Sequence, residues 1–430
     1  MAGFVKLLRR NRNYRYTWLG QIVSEIGDHF NTVAVFSLAL NNTGSGLVVS
    51  GLMIARAIPA VLAGPLAGVL LDRMDRKQLM IASDLVRAVF AFCFVFAVKP
   101  DQTGWLFLLS GFLMFASPFF TSGRASILPT ITTEDELHTA NSLTKTTQWT
   151  ALTLGAMLGG ASAMQFGYKG AFLFNAASFV FSAACIWRLR APKGFRPERT
   201  VLGEDRVLQP WHAYVQGIRY MYSVPLLWAF ALISIGWATG GGAAQILFTL
   251  FGEVVYPYGP AGLGTIWGFA GVGLLVGGGF ANWVGSRLDF NGYKRTITIC
   301  FVIHGLSYIA FSQARPFWMV LLFIALSRFG MGVAGVLNTT LMLRTVPDAY
   351  RGRVFATVES FVWGVMMLSM AGAGYVSDHW HPRTIGTVAG ILSCSTFILW
   401  IAADWKGRLK EPARLGVGKD EVEIHGEPEV

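Results

Sequence analysis

Charge is scarce in this chain. Asp, Glu, Lys and Arg supply 14% of its 430 residues, against roughly 25% in soluble domains. With 53% hydrophobic residues and a mean hydropathy of +0.49, a soluble protein of this length is excluded. No stretch alternates apolar and polar residues over about ten positions, which excludes a membrane β-barrel. Cysteine is rare as well: Cys93, Cys185, Cys300 and Cys394 fall at wide spacings inside apolar segments. Without a CxxC or a Cys/His cluster no metal site is expected, and the four read as small buried hydrophobes. A phosphate-binding G-x-x-x-x-G-K-[ST] loop and a nucleophile elbow are also missing, so an enzyme is disfavoured. No cofactor is expected.

What the chain does have is long apolar runs. Hydrocarbon about 30 Å thick needs roughly 20 apolar residues per crossing, and windows of that size give about twelve candidates. They fall near 16–40, 46–70, 78–98, 104–124, 142–165, 170–188, 225–250, 260–284, 295–313, 317–341, 353–376 and 384–403. The first carries Glu25 and Asp28 and runs too long for the apolar region of a signal peptide, so it is expected to stay as a helix. The fold class is an all-α membrane protein of twelve transmembrane helices in contact with the lipid bilayer.

The net charge of +11 orients this protein and does not point to nucleic acid. Alternating the loops between two sides puts roughly 28 of the 35 Lys and Arg on one of them, the positive-inside bias. That side holds the Lys6-to-Arg15 cluster, the 71–77 loop, Arg188–Arg219, Arg287–Arg295, Arg344–Arg353 and the Lys406–Arg414 tail. The other holds only Lys99, Lys169, Arg315 and Arg383. Both termini are therefore expected in the cytoplasm.

The longest polar interruption runs from Arg190 to about Gln209 and contains Pro192 and Pro197. It reads as a linker between six spans and six. The division is an N-terminal bundle at 1–190, a linker at 191–210, a C-terminal bundle at 211–405 and a polar tail at 406–430, acidic at its end and expected to be disordered. Trp211, Val215, Ile218 and Tyr222 recur at helical spacing, as in an interfacial amphipathic helix near 211–222; an early start to span seven is the alternative.

The halves repeat each other. Gly68-Val-Leu-Leu-Asp72-Arg73-Met-Asp75-Arg76-Lys77 and Gly285-Ser-Arg-Leu-Asp289-Phe-Asn-Gly-Tyr-Lys294 share the frame G-x-x-L-D-x-x-x-x-K. Pro129 and Pro347 follow the fourth and tenth spans at nearly the same offset, as expected of pseudo-symmetric six-helix bundles. The second copy keeps Gly285, Asp289 and Lys294 but has neither arginine. Asp72 sits where a helix ends, and a carboxylate there can meet another helix's positive end and a nearby arginine. The expected partner is the start of span eleven, around Arg351-Gly352-Arg353.

The first copy resembles the signature loop of the major facilitator superfamily, G-x-L-a-D-r-x-G-r-k, with Asp75 in place of a glycine. The form D-R-x-D-R-K is similar to that of bacterial exporters of the macrolide-efflux and enterobactin-export type. Asp84-Leu-Val-Arg87, Arg124-Ala-Ser-Ile-Leu-Pro129, Leu137-His-Thr-Ala-Asn141-Ser-Leu143 and Gly217-Ile-Arg-Tyr220 point the same way. The resemblance covers nearly the whole chain and implies the major facilitator fold, a small-molecule substrate, protons as coupling ion, a monomer and a place in the bacterial inner membrane. Gly155-Ala-Met-Leu-Gly159-Gly160 resembles the exporters' G-P-x-L-G-G motif with Ala156 for the proline; its small residues also suit close helix packing. The superfamily's R-x-x-Q-G motif in mid-span four is absent, and Arg124 lies near the cytoplasmic end instead.

Ionisable residues inside spans are functional candidates by default. Glu25 and Asp28 share a face of span one, and Arg56 sits at comparable depth on span two. Asp28 is the first candidate for a proton-exchanging carboxylate, facing Arg56, and Glu25 the second. A permanent structural ion pair is the alternative. His29 reads as a packed or loop-facing imidazole rather than a relay. Asp84 and Arg87 are expected to join Asp72 and Arg124 in a cytoplasmic gate with Gly68, Arg73, Arg76, Lys77 and Arg353. Glu359 and Arg328 are the second half's coupling candidates. The function expected is proton-coupled export of a hydrophobic or amphipathic compound, such as a drug or siderophore, by alternating access. The alternatives are a lipid or lysophospholipid flippase, an uncoupled facilitator, and a transport-dead membrane sensor or scaffold.

Overall fold

A computed structural model describes residues 2–190, 195, 218–219, 221–222, 224–346, 348–407 and 409. Nearly all of the 191–210 linker, most of the expected interfacial helix and the tail beyond residue 409 lie outside the described residues. A short helix α1 (Ala2–Arg10) leads into α2 (Arg12–Thr43), α3 (Gly46–Arg73), α4 (Arg76–Cys93), α5 (Thr103–Ile131) and α6 (Glu134–Trp187). The second half holds α7 (Pro225–Leu250), α8 (Gly259–Gly285), α9 (Phe290–Gln313), α10 (Phe317–Thr345), α11 (Asp348–Ser377) and α12 (Pro382–Trp405).

Local chemistry sets the boundaries. Asn11 caps α2 by accepting from Tyr14 N, and Gly44 closes it with φ 65°, a left-handed conformation that disfavours any residue with a Cβ. Ser45 then caps α3, so a two-residue turn reverses the chain. In α6, Gly167 (φ 72°, ψ 172°) interrupts 54 residues of helix. Cβ atoms at Gly155 and Gly159 would meet Ile26 and Phe30, in the order of α2, whereas Gly20 and Gly27 approach Ser182 and Ser178 in reverse order. The two arms of α6 are therefore antiparallel and cross separately.

Among the described residues, ten helices are long and apolar enough to cross a membrane by length and composition. Counting the arms of α6 separately and adding α2, whose polar residues lower its hydropathy, makes twelve. The loops near residues 74, 133, 287 and 346 lie on one face with the first helix, the basic face; those near 44, 99, 167, 257, 315 and 380 form the opposite face.

Glycines bring the halves together. A Cβ on Gly160 would lie 2.3 Å from Pro260 O, and one on Gly264 2.3 Å from Ala156 O, so α6 and α8 touch backbone to backbone. Near the opposite face Gly46 and Gly374 admit Ser377 and Ser50 in the same way. Gly64 and Gly68, toward the basic end of α3, have nothing within 4 Å. The halves thus touch near the opposite face, and the basic end of α3 has open space beside Gly64 and Gly68. Gly264→Leu is expected to destabilise the fold by about 1–3 kcal/mol through overpacking. Gly279→Leu, which enters open space, should stay within about 0.5 kcal/mol. Thermal unfolding in detergent checks both; equal losses would reject the close-contact account.

Candidate functional site

Glu25 and Asp28 lie on the middle turns of α2, where burial by α6 leaves their side chains 20% and 25% exposed. Each meets an arginine from another helix. Arg124 of α5 donates to Glu25 Oε1 at 3.0 Å, and Arg87 Nη1 of α4 stands 3.8 Å from Asp28 Oδ2. Arg87 is simultaneously hydrogen-bonded to Asp84, one turn away on its own helix. Its guanidinium sits between the rings of Phe120 and Phe179, 4.8 and 4.3 Å from their centroids, where cation–π attraction replaces part of the lost hydration. One arginine therefore serves two carboxylates, while Glu25 Oε2, Asp28 Oδ1 and Asp84 Oδ2 are buried acceptor atoms without a hydrogen bond.

Arg56 is placed differently from the facing pair expected. It donates to Asn31 Oδ1 (3.2 Å) and Thr32 Oγ1 (3.0 Å) and leans over Phe36. It biases Asp28 by its charge without an ion pair to it. Asp84 and Arg87 are likewise not gathered with Asp72 at the basic face. They are nearly inaccessible and belong to the intramembrane cluster, because α4 turns this face toward α2 and the second arm of α6. His29 packs beneath Gly155.

The signature loop welds its own half. Asp75, the departure from the family's glycine, caps α4 by accepting from Gln78 N at 3.1 Å. Arg76 donates to Ser126 O of α5, and Lys77 Nζ to Leu189 O, just after α6, at 2.8 Å. The echo repeats that anchor: Lys294 Nζ donates to Leu409 O, just after α12, at 3.3 Å, and to Asp404 at 2.5 Å. The shared frame nevertheless breaks its helices at different points. Asp289 caps α9 through Gly292 N, whereas α3 continues through Asp72 to Arg73. Asp72 and Arg73 stay exposed, and Asp72 makes no ion pair among the described residues. The side chain of Arg351 lies outside them, while Arg353 is exposed.

Gly155 and Gly159 pack on α2, and Gly160 on α8, so the span-five motif brings the charged helix and the other half onto one arm. In the second half Glu359 borders a cavity of about 330 Å³, with Trp237, Met331, Asn338 and Phe355 in its walls. Arg328 lies deeper on α10, over the ring of Phe248 at 5.3 Å, so these two do not share one contact. Two groups escape sequence reasoning. Glu253 ends α7 in a π-turn and accepts from Ser37 of α2, which also bonds Tyr168 at 3.0 Å. Ser45 donates to Asp378 at 3.0 Å. Both cross between halves at the opposite face, and nothing in the spacing of single polar residues at helix ends marks them.

A family model described as the Major Facilitator Superfamily matches residues 17–291 and 258–424. Over 90% of this chain and 93% of the relative, the sequence is 26% identical to the multidrug efflux pump Tap of Mycolicibacterium fortuitum. Over 28% of the chain and 30% of the relative it is 30% identical to macrolide efflux protein A of Streptococcus pyogenes. Among solved structures, the nucleoside transporter NupG superposes with a TM-score of 0.72 at 14% identity, over 91% of this chain and 99% of that one.

Proposed function

The chain belongs to the Major Facilitator Superfamily, and on that premise we propose that this membrane transporter exports an amphipathic small molecule in exchange for protons by alternating access. The observation that carries the reading is Arg87 shared between Asp28 and Asp84. A buried arginine left without an anion is strongly destabilising. With two carboxylates in reach, one can take a proton or bind a cationic group while the other keeps Arg87 paired. Asp28, a quarter exposed against a fully buried Asp84, is the carboxylate that exchanges.

Placing the basic face in the cytoplasm makes the described conformation open inward, with Ser37–Glu253 and Ser45–Asp378 closing the outer side. Substrate enters from the cytoplasm or the inner leaflet. A rocking motion then breaks those contacts and closes Asp72 of the signature loop onto the start of α11. Export, rather than import, is supported by the likeness to two efflux proteins. A flippase reading draws on an apolar groove of about 640 Å³ between α3 and α5, lined by Ile58, Pro59, Phe107, Phe112 and Phe115.

The test is proton flux in proteoliposomes loaded with a pH-sensitive dye. The compound is chosen by thermal stabilisation from macrolides, siderophores and lysolipids. Substrate-dependent proton movement opposite to substrate is expected. Substrate transport with no proton movement would reject antiport in favour of an uncoupled facilitator or flippase.

A further inference from the structure

The buried charges of the two halves differ in how they are partnered. In the charged cluster the buried atoms without a hydrogen bond are three carboxylate oxygens and Arg87 Nε. In the second half they include Tyr308 OH, His304 Nε2, Trp237 Nε1 and Asn338 Oδ1, and of the two buried cations there, Lys294 is paired with Asp404 while Arg328 has no ion pair among the described residues. With Ser327 Oγ assigned as donor to His304 Nδ1 (2.8 Å), Nε2 carries the proton and is a donor too. Guanidinium and indole N–H groups can only donate.

Arg328 is 7% exposed and lies about eleven residues, or roughly 17 Å, into α10. It makes no hydrogen bond and no ion pair among the described residues, in contrast to Arg87 and Arg124. It stands over the face of Phe248, and Phe311, whose ring centroid is 6.0 Å from that of Phe248 and 5.4 Å from that of Tyr308, brings Tyr308, 1% exposed, into the same cluster. Gly273 lets α8 close against the Arg328 stem, a Cβ there falling 2.9 Å from Arg328 Cβ. The cavity residues Met331, Gly335, Asn338 and Met342 of α10 continue the helix face of Arg328 at helical spacing. An intramembrane arginine without an anion is expensive, and a well-packed interior that retains one is complete only when an anion arrives.

We propose that Arg328 and Tyr308 form an anion subsite that takes the carboxylate of the transported compound, which is therefore an amphipathic acid or a zwitterion. A carboxylate fits a planar guanidinium fork plus one hydroxyl. A phosphate would demand more charge than one arginine supplies, and the apolar walls of the neighbouring cavity suit an apolar body. In a zwitterion the cationic group faces the carboxylates of the first half. The proposal rests on the transporter reading and adds the substrate class to it.

The experiment uses the full chain purified in detergent and a panel of apolar monocarboxylates, each paired with its methyl ester, with affinities from thermal-shift titration. At least one acid should bind about thirtyfold tighter than its ester. Arg328→Gln should reduce that ratio to below about threefold, Arg328→Lys should keep part of it, and Tyr308→Phe should weaken the acid but not the ester. Binding by no acid in the panel overturns the subsite, as does equal binding of acid and ester. So does a preference that survives Arg328→Gln or, if that variant does not fold, Tyr308→Phe. Acid-selective binding without proton flux would reject antiport and leave the subsite standing; flux without acid preference would do the reverse.

Discussion

Asp28→Asn is expected to abolish substrate-driven proton flux, a loss of roughly 100-fold or more, while the protein stays folded. The two outcomes separate because Arg87 has a second carboxylate. Asparagine keeps the shape of Asp28 but cannot take up or release a proton, and Asp84 still pairs with Arg87, so thermal stability should change by less than about 1 kcal/mol. Uncoupled substrate exchange between equal concentrations should persist, since the variant mimics the protonated state. Wild-type flux in Asp28→Asn would move the carrier to Glu25, which is 20% exposed and bonded to Arg124, or to Glu359 at the cavity border. The same assay on Glu25→Gln and Glu359→Gln decides between them.

The largest effect on stability is expected at Arg87. Arg87→Met removes the cation shared by Asp28 and Asp84 and leaves buried carboxylates uncompensated, at a cost of about 3–5 kcal/mol. Adding Asp84→Asn should recover about 1–3 kcal/mol of that loss, because the residue that needed the cation most is gone. Arg87→Lys should be less stable than wild type but more stable than Arg87→Met, since an ammonium keeps the charge but loses the guanidinium's fork and its contact with the rings of Phe120 and Phe179. Unfolding in detergent across the four members of the Arg87/Asp84 cycle measures the coupling. Additive losses would show that the two side chains do not depend on each other, and the sharing account of proton exchange would fall with them.

Much of the architecture was legible because hydrocarbon thickness acts directly on the sequence. Apolar runs of sufficient length, interrupted by basic turns, are readable one residue at a time, and the repeated G-x-x-L-D-x-x-x-x-K frame exposed the halves. The structure adds equivalent anchors that the repeat did not announce, since Lys77 and Lys294 each bind a carbonyl just after the last span of their half. What the frame could not indicate was the length of the preceding helix. One carboxylate became a cap at Asp289, and the other stayed exposed at Asp72.

The candidate site was legible in its members and not in its pairings. Asp28, Glu25, Arg56, Arg87, Asp84 and Arg124 stand out as charges in apolar surroundings, yet depth along the helices suggested Arg56 as the partner of Asp28 and a basic-face role for Arg87. Spanning helices are apolar nearly all round, so no polar stripe reveals which face turns inward or which neighbour it meets. By itself, the sequence determined that this protein spans a membrane twelve times in two related halves. The tertiary structure alone decided that Arg87 reaches both Asp28 and Asp84, that Glu253 meets Ser37 across the halves, and that Arg328 has no ion pair among the described residues. Each of these depends on helix rotation and on contacts between residues far apart in the chain, which side-chain packing sets and local periodicity does not encode.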